Sequence, residues 1–437
     1  MRLNELLVVV PHSGLVVPGE VALDSLSDRF HDQVPNVDWY TNWLYDFRDI
    51  LDNRQLVFPY CSLILEANRH PERLDESVPL VDVHGERIYR EGREPSVELR
   101  RLLAEKYLLS FHRSIEASIV TGAEFLLDAH STVPARGVAE NQIDLMNFQE
   151  TPADHGRRVF SPSVYIDTYA AELRRRLPEV RVTINESEYH GVYGHVCAAH
   201  SVNALRRTGK QVPAVLQETC ETLYRRPDRT VDVAAVNRLR RAFAESLHAA
   251  VRYVQNLSRA QRMLDLHSHR QSYDFDCGAQ ALQTVMAYYG VNVRKDRLIK
   301  ELGSGQDGTD IQALIDFARK KGFQVESGEH WTLDVVKRHV DDGHPVIVLL
   351  QAWSSRYLSL KEWRSNYEDG HYAIVIGYNN KAVFFEDPSA FYRTWLNNNE
   401  FLARWHDMVP GTGRKLEQFG MVLLGRPPVG KVLEHMD

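Results

Sequence analysis

The chain has 437 residues, 43% hydrophobic and 25% charged, which excludes extensive disorder and a small staple-dependent scaffold. A net charge of -7, from 52 Lys and Arg against 59 Asp and Glu, argues against non-specific nucleic-acid binding, which needs a basic surface. At roughly 150 residues per domain, the length predicts two or three domains.

The first apolar run, Leu6–Val10, reads as a buried strand ending at Pro11. It is too short for a membrane span, and the preceding Glu5 does not suit a secretory signal. Val97–Val120 has helical periodicity, with Leu99, Leu102, Leu103, Leu108, Leu109 and Ile115 recurring mostly at steps of three and four. Phe125–Leu127, Val180–Ile184 and Ala214–Gln217 read as further strands, Val164–Leu177 and Val231–Val254 as helices. Strands alternating with helices predict an α/β domain, a mainly parallel sheet flanked by helices on both faces.

A polar stretch within 255–268 marks a change of pattern. Residues 1–256 are read as the first domain, 257–268 as a linker and 269–437 as the second domain. There, helices at Cys277–Gly290, Lys295–Leu302 and Asp310–Lys321 precede strands at Pro345–Gln351, Tyr372–Gly377, Ala382–Glu386 and Gly420–Leu424. Helices first and antiparallel strands second predict an α+β domain. The basic runs at Arg174–Arg176 and Arg238–Arg241 fall on predicted helices and read as solvated faces. Trp331, Trp353 and Trp363 are candidate walls of a cleft. The four cysteines, Cys61, Cys197, Cys220 and Cys277, are too scattered for a disulfide framework or a thiolate zinc site, so a reduced, cytoplasmic protein without a membrane segment is expected.

Potential ligands sit where the first sheet's strands should end. His12 follows the first strand, Asp128 and His130 the second, Glu218 the third. Ligands of α/β sheets gather at such carboxyl ends. Two neutral imidazoles and a carboxylate suit zinc, leaving a fourth position for water, and a further carboxylate would serve as general base. Asp128 would either orient His130 or, since a continuing strand points both to one face, compete as a ligand.

Residues 7–255 resemble the N-formylglutamate amidohydrolase family through Val9-Val10-Pro11-His12-Ser13-Gly14, Val37-Asp38-Trp39, Ala67-Asn68-Arg69, Leu127-Asp128-Ala129-His130-Ser131 and Gln217-Glu218. The resemblance implies a zinc hydrolase, related in architecture to zinc carboxypeptidases, that cleaves an amide or small acyl group from an amino-acid derivative. It makes His12, Asp38 and His130 the zinc ligands, with His31 and Asp32 as competitors of Asp38. It makes Glu218 the general base. Asn68 and Arg69 become substrate-binding, the guanidinium suiting a carboxylate. The glycine-rich, Thr- and Arg-containing segment of deformylating members is replaced by Tyr189–Cys197, which has no Arg. A substrate other than N-formylglutamate is therefore expected, within reach of His190, His195 and His200.

In the second domain Cys277 opens a predicted helix, where unpaired N–H groups and the dipole favour a thiolate. Gln271, six residues earlier, is placed to donate to an oxyanion. His371 opens a strand and Asp387 closes the next, so adjacent strands would set Asp387 behind His371 and His371 before Cys277. Gln271, Asp276-Cys277-Gly278, Tyr288-Tyr289-Gly290, Gly370-His371-Tyr372 and Asp387-Pro388 resemble the bacteriocin-processing peptidases, a papain-like cysteine peptidase family, over roughly residues 265–425. That resemblance implies Cys277 as nucleophile, His371 as base, Asp387 as its orienter and Gln271 as oxyanion donor. Ala281 stands near the place of a second, non-catalytic Cys, and the exporter fused to many members is not seen. The expectation is a bifunctional hydrolase or acyltransferase with Zn2+ as cofactor and a small amino-acid-derived or peptide substrate. A second reading makes one domain catalytically silent, binding a carrier protein or precursor peptide for the other.

Overall fold

Five consecutive apolar residues, Leu6–Val10, form β1 and are buried throughout, as a strand covered on both faces must be. The computed structural model describes residues 1–34, 37–151, 156–188, 200, 212–257, 259–409 and 412–429. It divides into two units, Met1–Val254 with Ser355–Tyr357, and Gln255–Ser354 with Leu358–Asp437.

In the first unit, β2 (Arg54–Val57), β3 (Phe125–Thr132), β4 (Gln142–Met146), β5 (Arg181–Ile184) and β6 (Ala214–Cys220) join β1 in a six-stranded sheet ordered β2-β1-β3-β6-β4-β5. β2, β1, β3 and β6 are parallel neighbours, whereas β4 runs antiparallel to β6 and parallel to β5. The sheet is thus rich in parallel pairs, with two strands reversed. The connection from β3 to β4, residues 133–141, is too short for a crossover helix.

The predicted helix at Val97–Val120 is α1 (Val97–Leu103), a π turn (Ala104–Leu108) and α2 (Leu109–Val120). The buried positions Leu103, Leu108, Phe111, Ile115 and Ile119 explain the insertion. The first step is five residues, and the wider π repeat absorbs it, keeping later positions on the core face. Alternation along the strands divides the core. Leu6, Val8, Phe125 and Leu127 pack with Ile166 and Tyr169 of α3 (Ser163–Arg176) and Phe243 and Leu247 of α4 (Val233–Leu257). Leu7, Val9 and Leu126 pack with Leu108, Phe111 and Ile115. Asp128 and His130, in step with Leu126, project on this second face.

The second unit carries α5 (Cys277–Tyr288), α6 (Lys295–Leu302), α7 (Ile311–Lys320) and α8 (Leu333–Asp341). Its main sheet is built from β7 (Arg262–Met263), β8 (Gln324–Gly328), β9 (Val346–Gln351), β10 (Gly370–Tyr378), β11 (Ala382–Glu386), β12 (Thr394–Asn397) and β13 (Gly420–Leu424). The order is β8-β13-β9-β10-β11-β12 with β7 on β10, and every pairing is antiparallel. The stretch read as a linker is more than connection. Leu257 still belongs to α4, β7 pairs with β10, and Asn379 Nδ2 donates to the carbonyls of Leu257 and Arg259, both at 2.7 Å. Among the described residues no helix is long and apolar enough to cross a membrane.

Candidate functional sites

The carboxyl ends of three neighbouring strands assemble the first site. His12 follows β1 by two residues. His130 on β3 and Glu218 on β6 are direct partners across the parallel ladder, so both side chains project from the same face. Asp38 enters from a loop, and its Oδ2 accepts the Ser131 N–H at 3.0 Å. That oxygen lies 3.7 Å from His12 Nδ1 and 3.4 Å from His130 Nδ1. The two rings meet edge to face with centroids 4.8 Å apart. One donor atom from each of His12, Asp38 and His130 lies within 4.8 Å of the other two, a grouping that could hold a metal ion.

Each imidazole is gripped from behind. His12 Nε2 lies 2.5 Å from Glu66 Oε1, and His130 Nε2 lies 2.9 Å from Asp128 Oδ1. Carboxylates bound to the far nitrogens fix ring orientation and leave both Nδ1 atoms facing Asp38. Asp128 therefore stands on the far side of the His130 ring from Asp38, the arrangement its orienting role requires. Glu66 was not singled out from the sequence. Its one signal was adjacency, as it immediately precedes Ala67-Asn68-Arg69. The Asn68 N–H holds Glu66 Oε1 at 2.8 Å, and Arg69 Nη1 donates to the Asn68 carbonyl at 2.9 Å. The competitors His31 and Asp32 pair with each other, exposed, at 3.0 Å. His190, His195 and Cys197 lie outside the described residues. His200 is described, and its Nε2 sits 3.0 Å from His112 Nδ1.

Burial opposes charge on His12, but Glu66 and Asp38 override it and raise the ring to about 9. His130 moves upward too, against burial, driven by Asp128 and Asp38. Burial alone would raise Asp38, yet His12 and His130 hold it well below the carboxylate range. Glu66 is likewise held at about 2, against burial, by His12 and Arg69. Glu218 behaves oppositely: burial pushes it up to about 8, although His130 pulls it down. Its Oε2 is buried with no hydrogen-bond partner among the described residues. Both imidazoles, with Arg69 beside Glu66, balance the charges of Asp38, Glu66 and Asp128, so it is the donor set, two imidazoles and a carboxylate within reach of one point, that fits a divalent cation.

The second site forms on α5, β10 and the end of β11. Cys277, buried, is the first residue of α5. Gly278 is required beside it, since a Cβ there would meet Thr309 Cβ at 2.8 Å and the Tyr372 ring at 2.9 Å. His371 Nε2 lies 2.8 Å from Asp387 Oδ1, and Cys277 interacts electrostatically with the ring. Burial opposes the charge on His371, but Asp387 and Cys277 raise it to about 10. Asp387 stays below the usual range despite burial, through His371, Ser389 and Thr394. Its Oδ2 accepts from Trp353 Nε1 at 3.2 Å and from Thr394 Oγ1 at 3.3 Å. Gln271 stands on the same side, its Oε1 accepting from Ser389 Oγ at 2.8 Å, while its Nε2 donates to the Tyr273 carbonyl at 3.1 Å.

The three tryptophans do not wall the cleft at Cys277. Trp331 stacks on His339, Trp363 is buried under Arg404, and Trp353 covers Asp387. Their indoles found partners in the core or at Asp387, which composition alone could not foretell. Cys61, Cys220 and Cys277 are free thiols.

The His371–Asp387 pair sets a pH-dependent stability. A ring raised from 6.5 to about 10 contributes fully below 6.5 and loses its contribution as pH rises through 10. A depressed Asp387 contributes above the carboxylate range and loses its contribution in acid. Asp387→Asn is therefore expected to destabilise by on the order of 3 kcal/mol near pH 7 and by much less near pH 10.5. Urea midpoints at the two pH values check this, and equal losses would contradict it.

Residues 4–225 match the family described as N-formylglutamate amidohydrolase, and residues 260–412 a peptidase C39 like family. N-formylglutamate deformylase of Pseudomonas putida is 28% identical over 142 residues, 29% of this chain and 51% of that protein. The chain spans about half the length of the curated relatives it matches. The crystal structure of N-formylglutamate amidohydrolase from Ralstonia eutropha JMP134 aligns at 15% identity and a TM-score of 0.45, covering 59% of this chain and 96% of that one. The peptidase domain of Streptococcus ComA, a bi-functional ABC transporter, aligns at 22% identity and a TM-score of 0.27, covering 36% and 96%. With just over half of its length matched by the first of these families, the chain belongs to the N-formylglutamate amidohydrolases, and it carries a C39-like peptidase segment behind that half.

Proposed function

We propose that the chain is a bifunctional hydrolase. A zinc-dependent centre in the first unit, on a framework of the zinc-carboxypeptidase kind, cleaves an amide or formamide of an amino-acid derivative. A cysteine centre in the second unit cleaves a peptide or amide, or transfers its acyl group, through a thioester. The observation that carries this reading is the convergence, in one chain, of His12, Asp38, His130 and Glu218 in one place and of Cys277, His371 and Asp387 in another.

His12, Asp38 and His130 would hold the zinc. When bound, zinc supplies polarisation of the scissile carbonyl and a water acidified to near neutrality. Glu218 takes the proton of the attacking water and returns it to the departing amine. Arg69 grips the substrate carboxylate through paired N–H groups.

In the second unit Cys277 Sγ attacks the carbonyl carbon, and His371, steadied by Asp387, carries the proton to the leaving amine. The backbone N–H at the start of α5 receives the oxyanion, joined by Gln271 once its amide exchanges the Tyr273 carbonyl for that oxygen. Water or a second amine then releases the acyl group from sulfur. A precursor peptide or carrier protein would be the source of that group. Three free thiols suit a reducing compartment such as the cytoplasm.

Metal analysis tests the first half. About one zinc per chain is expected, falling to none when His12 and His130 are both changed to Ala. Undiminished zinc in that double variant would sink the assignment.

A further inference from the structure

We propose that the cleft at Cys277 takes a cationic substrate, one that carries an amine or guanidinium beside the acyl group the sulfur attacks. This rests on the cysteine-centre reading above and names its substrate class. The cleft has a volume of about 700 Å³, and Cys277 forms part of its wall. Six acids line it: Asp274, Asp307, Asp310, Glu329, Glu368 and Asp407, against the single base Arg414. Arg414 is already committed, with Nη1 2.6 Å from Glu329 Oε1. Among the described residues the other five acids have no ion-pair partner. Four of them, Asp274, Asp307, Asp310 and Glu368, are exposed, and like charges along a concave wall reinforce one another and concentrate ions of opposite sign.

Asp407 brings this charge up to the reacting groups. Gly370 directly precedes His371, and a Cβ at Gly370 would come within 2.6 Å of Asp407 Oδ2. The missing side chain is what lets that carboxylate lie against the strand bearing the imidazole. Its Oδ1 accepts from Gln351 Nε2 at 2.8 Å, so the side-chain donor holding it is a neutral amide. Burial pushes the Asp407 carboxyl upward. A substrate ammonium or guanidinium placed there would make a charge-assisted hydrogen bond and relieve that burial.

The full-length protein tests this with three thiol reagents, two charged ones of comparable size and a smaller neutral one. They are the trimethylammonium-ethyl, sulfonato-ethyl and methyl methanethiosulfonates, which are cationic, anionic and neutral. Rates at Cys277 are corrected for a Cys277→Ala background and divided by those of a free cysteine amide. The cationic reagent is expected to outpace the anionic one by about tenfold or more at low salt. The preference should fall to under about threefold near 0.5 M salt. It should also shrink in an Asp310→Asn, Asp407→Asn protein, where Asn at 310 keeps the cap on α7 and Asn at 407 keeps the shape. Equal corrected rates for the charged reagents, with the neutral one still reacting at Cys277, would overturn the cationic class and leave the cysteine centre standing. A neutral reagent no faster than background would remove both.

Discussion

Glu218→Gln is expected to lower hydrolysis of N-acyl amino acids by about two to four orders of magnitude, while zinc content stays at about one per chain. The amide keeps the shape of the carboxyl but cannot take a proton from water. What supports that role is its ladder partnership with His130 and an Oε2 that is buried with no hydrogen-bond partner among the described residues. It is absent from the His12–Asp38–His130 grouping, so metal retention and activity should separate. His130→Ala should abolish both together. A panel of N-formyl and N-acetyl amino acids, assayed alongside metal analysis, reads the difference. Loss of zinc from the Gln variant would instead make Glu218 a ligand.

His371→Ala is expected to slow alkylation of Cys277 by iodoacetamide about tenfold or more at pH 6. Acyl transfer or peptide cleavage should fall by about three orders of magnitude. A positively charged ring attracts the negative charge that sulfur must carry to attack. The ring keeps its proton up to about 10 because Asp387 and the sulfur both hold it there against burial. The gap between wild type and variant should accordingly be widest in mild acid and close as pH rises through 10. Labelling rates followed from pH 6 to 10.5 measure it, and a gap that does not change with pH would contradict the pairing.

The apolar strands, and Cys277 as the candidate nucleophile, were legible because each has a local signature: Leu6–Val10 is continuously apolar, and Cys277 opens a periodic apolar helix. β2, β4, β7, β8 and β12 were not read. Gln142–Met146 has two polar residues, Gln142 and Asp144, both buried beside reversed neighbours, and Gln324–Gly328 is only partly buried, so neither offers an apolar run. The π turn escaped because a five-residue step resembles a lapse in helical period. His12, Asp38 and His130 came from resemblance joined to strand-end logic. Glu66 escaped both, lying in a turn before the matched residues and acting through His12. Trp353 escaped because its partner, Asp387, is distant in sequence. Its indole reaches that acid from a left-handed backbone (φ 64°), a conformation no local pattern announces.

Because His130 and Glu218 sit opposite each other across one parallel ladder, inserting or deleting a single residue within either strand would turn one of them to the far side of the sheet. The pair can therefore be altered by substitution, but not by small changes in strand length. Insertions that keep the pairing would have to fall in the segments beyond the carboxyl ends, where chain length can change without touching the alignment of His130 and Glu218.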